Sequence, residues 1–158
     1  MIYFETEVKR SGVDGRRLKN DARKLLKAVG EGSSSLSISL VNDRRMAMLN
    51  RRHRGKDSPT DVLSFPLHSE GAHHEQPVDG ERPERLLGDV VISVEMAQRQ
   101  AAEYAAPLQN EINRLLIHGI LHVLGHDHEK PKERAAMEAE ERRLAAVIGM
   151  PWPYDDYA

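Results

Sequence analysis

The sequence has no cysteine, few aromatic residues and no long apolar run. Without cysteine there can be neither a disulfide framework nor a thiolate metal site, so any metal ion must be bound by histidine, aspartate or glutamate. Because no stretch of 18 apolar residues occurs, we expect no transmembrane helix. Aromatic residues make up only 4% of the chain, so base stacking on aromatic rings is not a visible means of recognising nucleic acid.

The start of the chain also lacks the features of a secretory signal. The first ten residues, MIYFETEVKR, contain no basic start, no apolar stretch and no small-residue cleavage site, which favours a cytoplasmic protein. The length of 158 residues fits one domain, 1–158, with one core. A composition of 39% hydrophobic and 30% charged residues is typical of a soluble globular protein.

One short segment differs in charge from the rest of the chain. The net charge of −2 argues against a uniformly basic, nucleic-acid-binding surface. Between residues 44 and 56, however, the basic side chains are Arg44, Arg45, Arg51, Arg52, Arg54 and Lys56. Such a cluster can neutralise phosphate groups, and a solvated helix face is the alternative interpretation.

The hydrophobic periodicity predicts strands in the first 95 residues and helices in most of the remainder. Strands are expected at 2–8, 36–40, 61–65 and 86–94. Helices are expected at 14–29, 43–53 with Asp43 as the cap, 95–104, 107–124 and 131–148. The polar segment 68–85 is rich in glycine and proline, which is typical of a long loop. This order predicts an α+β fold, in which a small mixed four-stranded sheet packs with about five helices.

Four of the eight histidines lie within residues 118–128, HGILHVLGHDH. On a helix, His118 and His122 point the same way one turn apart, and Gly125 can then reverse the chain so that His128 reaches the same ion. A lone pair of histidines at this spacing seldom binds metal. Here the surrounding helix is apolar on nearly every side, so buried imidazoles need a shared partner. We therefore predict one zinc ion per chain, on a central helix, with the open fourth position of a catalytic site.

Other polar residues receive secondary interpretations. His126 is expected to face solvent or to lie behind the ligands, and Asp127 can orient a ligand imidazole through its second nitrogen. His73 and His74 fall in the predicted loop and are interpreted as incidental. Asp61 and Asp89 are expected to cap or hydrogen-bond strand ends rather than to catalyse, and a position near the metal is the alternative for either.

The same histidine spacing, H-x-x-x-H-x-x-G-x-x-H, occurs in metzincin metallopeptidases. In those enzymes the residue after the first histidine is a glutamate that activates the metal-bound water. Here that residue is Gly119. A metallopeptidase is therefore an alternative that the ligand spacing favours and Gly119 opposes.

Three segments of the chain resemble the YbeY endoribonucleases, which are bacterial ribosomal-RNA maturation factors. They are LNRRHRGKDSPTDVLSFP (49–66), LGDVVIS (87–93) and HGILHVLGHDH (118–128), and they are followed by Met137 and by Glu140 or Glu141. The resemblance implies that His118, His122 and His128 bind the metal. It also implies that Arg54 is the functionally important arginine of the family. Position 126 is often tyrosine in the family and is histidine here.

The resemblance further implies a zinc-dependent, single-strand-specific endoribonuclease. Its substrate would be ribosomal RNA, its role the maturation of the small-subunit 3′ end and ribosome quality control, and its partners the ribosome or assembly factors. Arg54 would bind the scissile phosphate, since an arginine beside a metal can stabilise charge in the transition state. A ribosome-assembly factor with a purely structural metal remains a further alternative. No membrane partner is expected, and the sequence predicts no oligomeric state.

Overall fold

A mixed four-stranded sheet and five α-helices make up the described part of the chain, residues 1–67 and 85–154, in a computed structural model. The strands are β1 (Ile2–Thr6), β2 (Ser35–Val41), β3 (Val62–Pro66) and β4 (Leu86–Ser93). The helices are α1 (Gly15–Ala28), α2 (Asp43–Arg54), α3 (Val94–Glu103), α4 (Leu108–Val123) and α5 (Pro131–Val147). These elements confirm the predicted α+β fold. Except for Arg85, the loop predicted at 68–85 lies outside the described residues, and so do His73 and His74.

In the strand order β1-β2-β4-β3, the three parallel strands β1, β2 and β4 are neighbours. β1 is parallel to β2, with Phe4 opposite Ile38, and β2 is parallel to β4, with Ile38 opposite Val90. β3 runs antiparallel to β4 and pairs Ser64 with Val90. The sheet therefore carries one antiparallel strand, β3, at an edge next to β4.

One face of the sheet forms the main core. Every second residue of β2 is fully buried there, namely Leu36, Ile38 and Leu40. α4 packs on this face and is buried along most of its length, since its sequence is apolar on nearly every side. Among the described residues, no helix is both long enough and apolar enough to cross a membrane.

The opposite face of the sheet is covered in part by α2, through a smaller cluster around Met46 and Val91. The prediction that Asp43 caps this helix is wrong. Asn42 is the cap, because its side chain accepts a 2.8 Å hydrogen bond from the backbone N–H of Arg45. Asparagine and aspartate cap helices equally well, and here the Asp43 carboxylate instead accepts hydrogen bonds from Ser93 (2.7 Å) and Arg99 (2.6 Å).

Candidate metal centre

Two of the three predicted ligands lie on α4 and the third lies just beyond its end. His118 and His122 are one turn apart, and their Nε2 atoms are 3.0 Å from each other. After the helix ends, Gly125 adopts a left-handed conformation with φ 96°. The N–H of Gly125 donates to the carbonyl of His122 and the N–H of His126 to that of Leu121, a pairing that closes a helix and reverses the chain.

This turn brings His128 to the other two imidazoles. Its ring centroid lies 5.7 Å from that of His118 and 5.2 Å from that of His122. One ring nitrogen from each of the three histidines lies within 4.8 Å of the others, so the group can hold a metal ion. Tetrahedral zinc separates its nitrogen ligands by about 3.3 Å, so the donor set and its spacing fit that ion.

The electrostatic surroundings keep His122 in the form that binds metal. Burial lowers the pKa of His122 below its usual 6.5, and the neighbouring His118 and His128 lower it further. Asp127 has the opposite effect and does not outweigh them. At neutral pH the His122 imidazole is therefore uncharged, as a metal ligand must be.

A carboxylate that sequence analysis did not assign lies behind His118. Oε1 of Glu141, on α5, is 3.7 Å from Nδ1 of His118, and the Glu141 residue is only 8% exposed. The Glu141 carboxylate therefore contacts the edge of the His118 imidazole that faces away from His122. Helical spacing was the available signal, because Glu141 shares the buried face of α5 with Met137 and Leu144, and a buried carboxylate needs a partner.

Asp127 does not take the role predicted for it. Its Oδ1 atom accepts a 2.7 Å hydrogen bond from the backbone N–H of His128, so it supports the turn rather than a ligand ring. His126 is exposed and lies outside the group of three ligands.

Arg54 and the three histidines line one cavity of about 340 Å³. The other lining residues come from β3 and the segment before it: Thr60, Asp61, Val62, Leu63 and Ser64. Arg54 is the last residue of α2, and Gly55 ends that helix in a left-handed conformation with φ 70°. The structure thus brings all four predicted site residues to the same place.

Two contacts fix the end of α2 and the loop that follows it. The His53 ring packs edge-on against Phe65 of β3, with centroids 4.8 Å apart. The buried Asn50 side chain donates a 2.8 Å hydrogen bond to the carbonyl of Ser58. Together they set the position of Arg54 relative to β3.

The two aspartates considered in the sequence analysis lie in different places. Asp61 accepts a 2.8 Å hydrogen bond from the N–H of Val62, as expected for the end of a strand, and it also lines the cavity. Asp89 lies on β4 in a groove with Glu5 and Val91, on the sheet face turned away from α4. Asp89 is therefore not part of the metal cavity.

Gly119 lies where α4 crosses the sheet. A Cβ atom at this position would be 2.6 Å from Cγ1 of Val90 and 3.3 Å from Oγ of Ser64. The carbonyl of Gly119 accepts a 3.1 Å hydrogen bond from the Ser64 hydroxyl. The helix approaches the sheet so closely that this position has no room for a side chain.

A buried polar network, also missed by the sequence analysis, supports the cavity wall. Glu111 is fully buried and accepts hydrogen bonds from Arg114 and from the Tyr154 hydroxyl. Burial raises the pKa of Tyr154, and Glu111 raises it further. Arg114 donates a hydrogen bond to Gln100, and Gln100 donates one to Asp61; both are 3.4 Å long. The network connects the interior of α4 with the cavity.

Comparisons with known proteins extend over most of the chain. A family model described as "Endoribonuclease YbeY" matches residues 3–149. A relative of the same name from Anaeromyxobacter sp. (strain Fw109-5) is 42% identical over 94% of this chain and 72% of its own. Another, from Halorhodospira halophila, is 35% identical over 98% of this chain and 96% of its own.

A solved structure has the same fold. The solution structure of a protein from Thermotoga maritima superposes with a TM-score of 0.62 at 28% sequence identity. The match covers 94% of this chain and 89% of the other. The overall fold is therefore shared with an experimentally determined structure.

Proposed function

This chain belongs to the YbeY family of endoribonucleases, and from this premise we propose that it is a zinc-dependent enzyme that cleaves single-stranded RNA. We place it in the cytoplasm, in ribosomal-RNA maturation at the small-subunit 3′ end and in ribosome quality control. Its partners would then be the ribosome or assembly factors.

The observation that carries the proposal is that an arginine and three imidazoles able to hold a metal ion line one cavity. His118, His122 and His128 would hold one zinc ion. Three imidazole ligands favour zinc over magnesium or calcium, which prefer oxygen. When bound, zinc supplies a Lewis acid for a phosphate oxygen and lowers the pKa of a coordinated water.

Arg54 would bind the scissile phosphate. Its guanidinium group presents parallel N–H donors that match two phosphate oxygens. Because the side chain is exposed at the end of α2 and lines the cavity, it can reach a substrate that enters from solvent. Charge that builds up on the phosphate oxygens would then be stabilised from two sides.

The packing of Gly119 argues against the metallopeptidase alternative. A metzincin peptidase requires a glutamate at this position to activate water. In this chain a Cβ at that position would be 2.6 Å from Cγ1 of the buried Val90 and 3.3 Å from Oγ of Ser64, which itself lines the cavity. The helix therefore has neither the base nor the space for it.

The assembly-factor alternative would require a closed structural site. Structural zinc sites are usually completed by four protein ligands. Within residues 1–67 and 85–154, only three ligands form a group, and the third, His128, is exposed. An open coordination position next to a cavity suits a substrate better than a purely structural ion.

The test is to incubate zinc-loaded protein with labelled single-stranded RNA and, separately, with a denatured polypeptide. We expect cleavage of the RNA alone. His118→Ala serves as the contamination control, since a trace host nuclease would be unaffected by that change. Cleavage of polypeptide that disappears in His118→Ala, with the RNA intact, would overturn the proposal and support the peptidase. If the zinc-loaded, unaltered protein cleaved neither substrate, the result would support the assembly-factor alternative.

A further inference from the structure

We propose that the outward face of α2 is a second RNA-binding surface, which holds the single strand where it leaves the metal cavity. The proposed track is a stripe of three arginines, Arg44, Arg51 and Arg54. The inference rests on the proposed function, since it assumes that RNA is the substrate. It goes further by assigning a path to the part of the strand that is not cleaved.

Helical spacing defines the track. Arg44, Arg51 and Arg54 are separated by seven and three residues, so they lie on one side of α2. Arg54 lines the metal cavity, and the stripe therefore begins at the proposed scissile phosphate. With a rise of 1.5 Å per residue, the stripe extends about 15 Å from the cavity to Arg44. An extended polyanion can follow this line without leaving the protein surface.

The charges of the track have no partner inside the described protein. Across residues 1–67 and 85–154, neither Arg44 nor Arg51 forms a salt bridge. The adjacent Arg45, by contrast, lies 3.8 Å from the carboxylate of Glu7. Arg45 and Arg52 form a second stripe, on the side of the helix that also carries Leu49. The two stripes therefore differ at Arg45, whereas Arg52, like Arg44 and Arg51, forms no salt bridge within the described residues.

Helix stability does not explain Arg44. Basic residues in the last turn of a helix interact favourably with its dipole, which is sufficient reason for Arg51 and Arg54. In the first turn a positive charge is unfavourable, and Arg44 lies there without a neutralising carboxylate in the described structure. A binding role for the whole stripe accounts for a charge that the helix itself does not favour.

An exposed apolar side chain lies between the stripes. Met48 is 51% exposed and lies beside Arg51 of the track, in a shallow groove that Arg45, Leu49 and Arg52 also line. Its thioether can pack against a nucleobase, since methionine sulfur contacts aromatic rings favourably. A chain that carries phosphates and bases in alternation fits this combination, whereas an acidic peptide would use only the arginines.

The experiment compares two double variants that remove the same charge from the same helix. The variants are Arg44→Gln/Arg51→Gln in the track and Arg45→Gln/Arg52→Gln in the control stripe. Fluorescence anisotropy gives the Kd of the zinc-loaded protein for a labelled 2′-O-methyl oligonucleotide of about 12 nucleotides. This probe keeps the phosphates and bases and lacks the free 2′-hydroxyl. A probe of about four nucleotides, which reaches little beyond the cavity, is measured in parallel.

For the long probe at 50 mM salt, we expect the track variant to bind on the order of tenfold more weakly, and the control variant to differ from the unaltered protein by less than threefold. Two lost phosphate contacts should reduce the slope of log K against log salt by about 1.4, since each contact to a single strand contributes about 0.7. The ratio between the Kd of the track variant and that of the unaltered protein should then be about sevenfold smaller at 200 mM salt than at 50 mM salt. The short probe should bind all three proteins equally.

Three results would overturn the inference: equal weakening by both double variants, unchanged binding of the long probe by the track variant, or equal weakening of the short probe. Competition by a polyglutamate peptide as effective as that by unlabelled oligonucleotide would identify an acidic protein as the partner instead. Because this experiment measures binding and not cleavage, failure of the track can be distinguished from failure of the proposed function. Track-dependent binding without RNA cleavage would refute only the enzyme, and cleavage without track dependence would refute only the track.

Discussion

Oε1 of Glu141 lies 3.7 Å from Nδ1 of His118, on the side of the imidazole opposite the nitrogen that faces His122. A carboxylate in this position favours the tautomer with its proton on Nδ1, which leaves the Nε2 lone pair free for a metal. α5 thus acts on the candidate metal centre although it contributes none of the three ligands.

Removal of this carboxylate should weaken metal binding. We expect Glu141→Ala to lower zinc affinity about 10- to 100-fold, the usual effect of losing such a partner. Glu141→Gln should retain part of the affinity, because its amide oxygen can still accept a hydrogen bond from the Nδ1–H group of His118. Competition with a chromophoric chelator measures both. Glu140→Gln is the matched control, since Glu140 precedes Glu141 on the same helix and pairs with Arg143 at the surface. Equal zinc affinity in Glu141→Ala and Glu140→Gln would refute the positioning role.

The three histidines should account for all of the bound zinc. Purified protein is expected to contain about one zinc ion per chain, and His118→Ala/His122→Ala should contain none, because His128 alone cannot hold the ion. Elemental analysis of gel-filtered protein gives the stoichiometry. His126→Ala is the control, since His126 lies two residues from a ligand and outside the group. Zinc retained at full occupancy in the double variant would place the metal elsewhere.

Arg54 should matter for cleavage and not for folding. The side chain is exposed and is the last residue of α2, so Arg54→Ala should change the unfolding free energy by less than about 0.5 kcal/mol. RNA cleavage should fall by on the order of 100-fold or more, if the guanidinium stabilises the transition state. Arg54→Lys should recover little, because an ammonium group cannot grip two phosphate oxygens at once. Single-turnover cleavage rates, measured at matched zinc content, test this prediction. An undiminished rate in Arg54→Ala would mean that Arg54 belongs to a solvated helix face and has no role in cleavage.

Sequence periodicity predicted the parts of this molecule that local spacing controls. His118, His122 and Gly125 lie within eight residues, so helical geometry and one turn were enough to bring the imidazoles together. Glu141 is 23 residues from His118 along the chain and reaches it only because α4 and α5 pack together, which no local pattern encodes. Asp127 was preferred in its place because it was near in sequence. The same limit explains why Asp43 was chosen over Asn42, since the partners of Asp43 lie on β4 and α3.

Acidification should destabilise the metal-free protein partly through His122. Because the pKa of His122 is lowered in the folded state, the unfolded chain binds more protons near and below pH 6.5. The contribution of His122 to stability is therefore fully present above pH 6.5 and is lost as the pH falls through the lowered, folded-state pKa. Urea unfolding in EDTA at pH 7.5 and at pH 5.5 tests this. The unaltered protein should lose more stability between the two pH values than His122→Gln, and equal losses would contradict a lowered pKa.

Gly119 gives a prediction that separates packing from helix propensity. On an open helix surface, Gly→Ala stabilises by about 1 kcal/mol. At position 119, however, the new Cβ would lie 2.6 Å from Val90, which is fully buried in the core and cannot move aside cheaply. Overpacking of this kind costs about 1 to 3 kcal/mol, so Gly119→Ala should be destabilised by up to about 2 kcal/mol after the gain in propensity is subtracted. Gly32→Ala is the control for a glycine outside the helices, because Gly32 is exposed in a turn and its Cβ would make only ordinary contacts at 3.6 Å or more. Urea unfolding of both variants provides the measurement.

A Gly119→Ala protein as stable as Gly32→Ala would mean that α4 can move away from the sheet. The geometric argument against a glutamate at this position, and with it part of the case against the peptidase, would then fail.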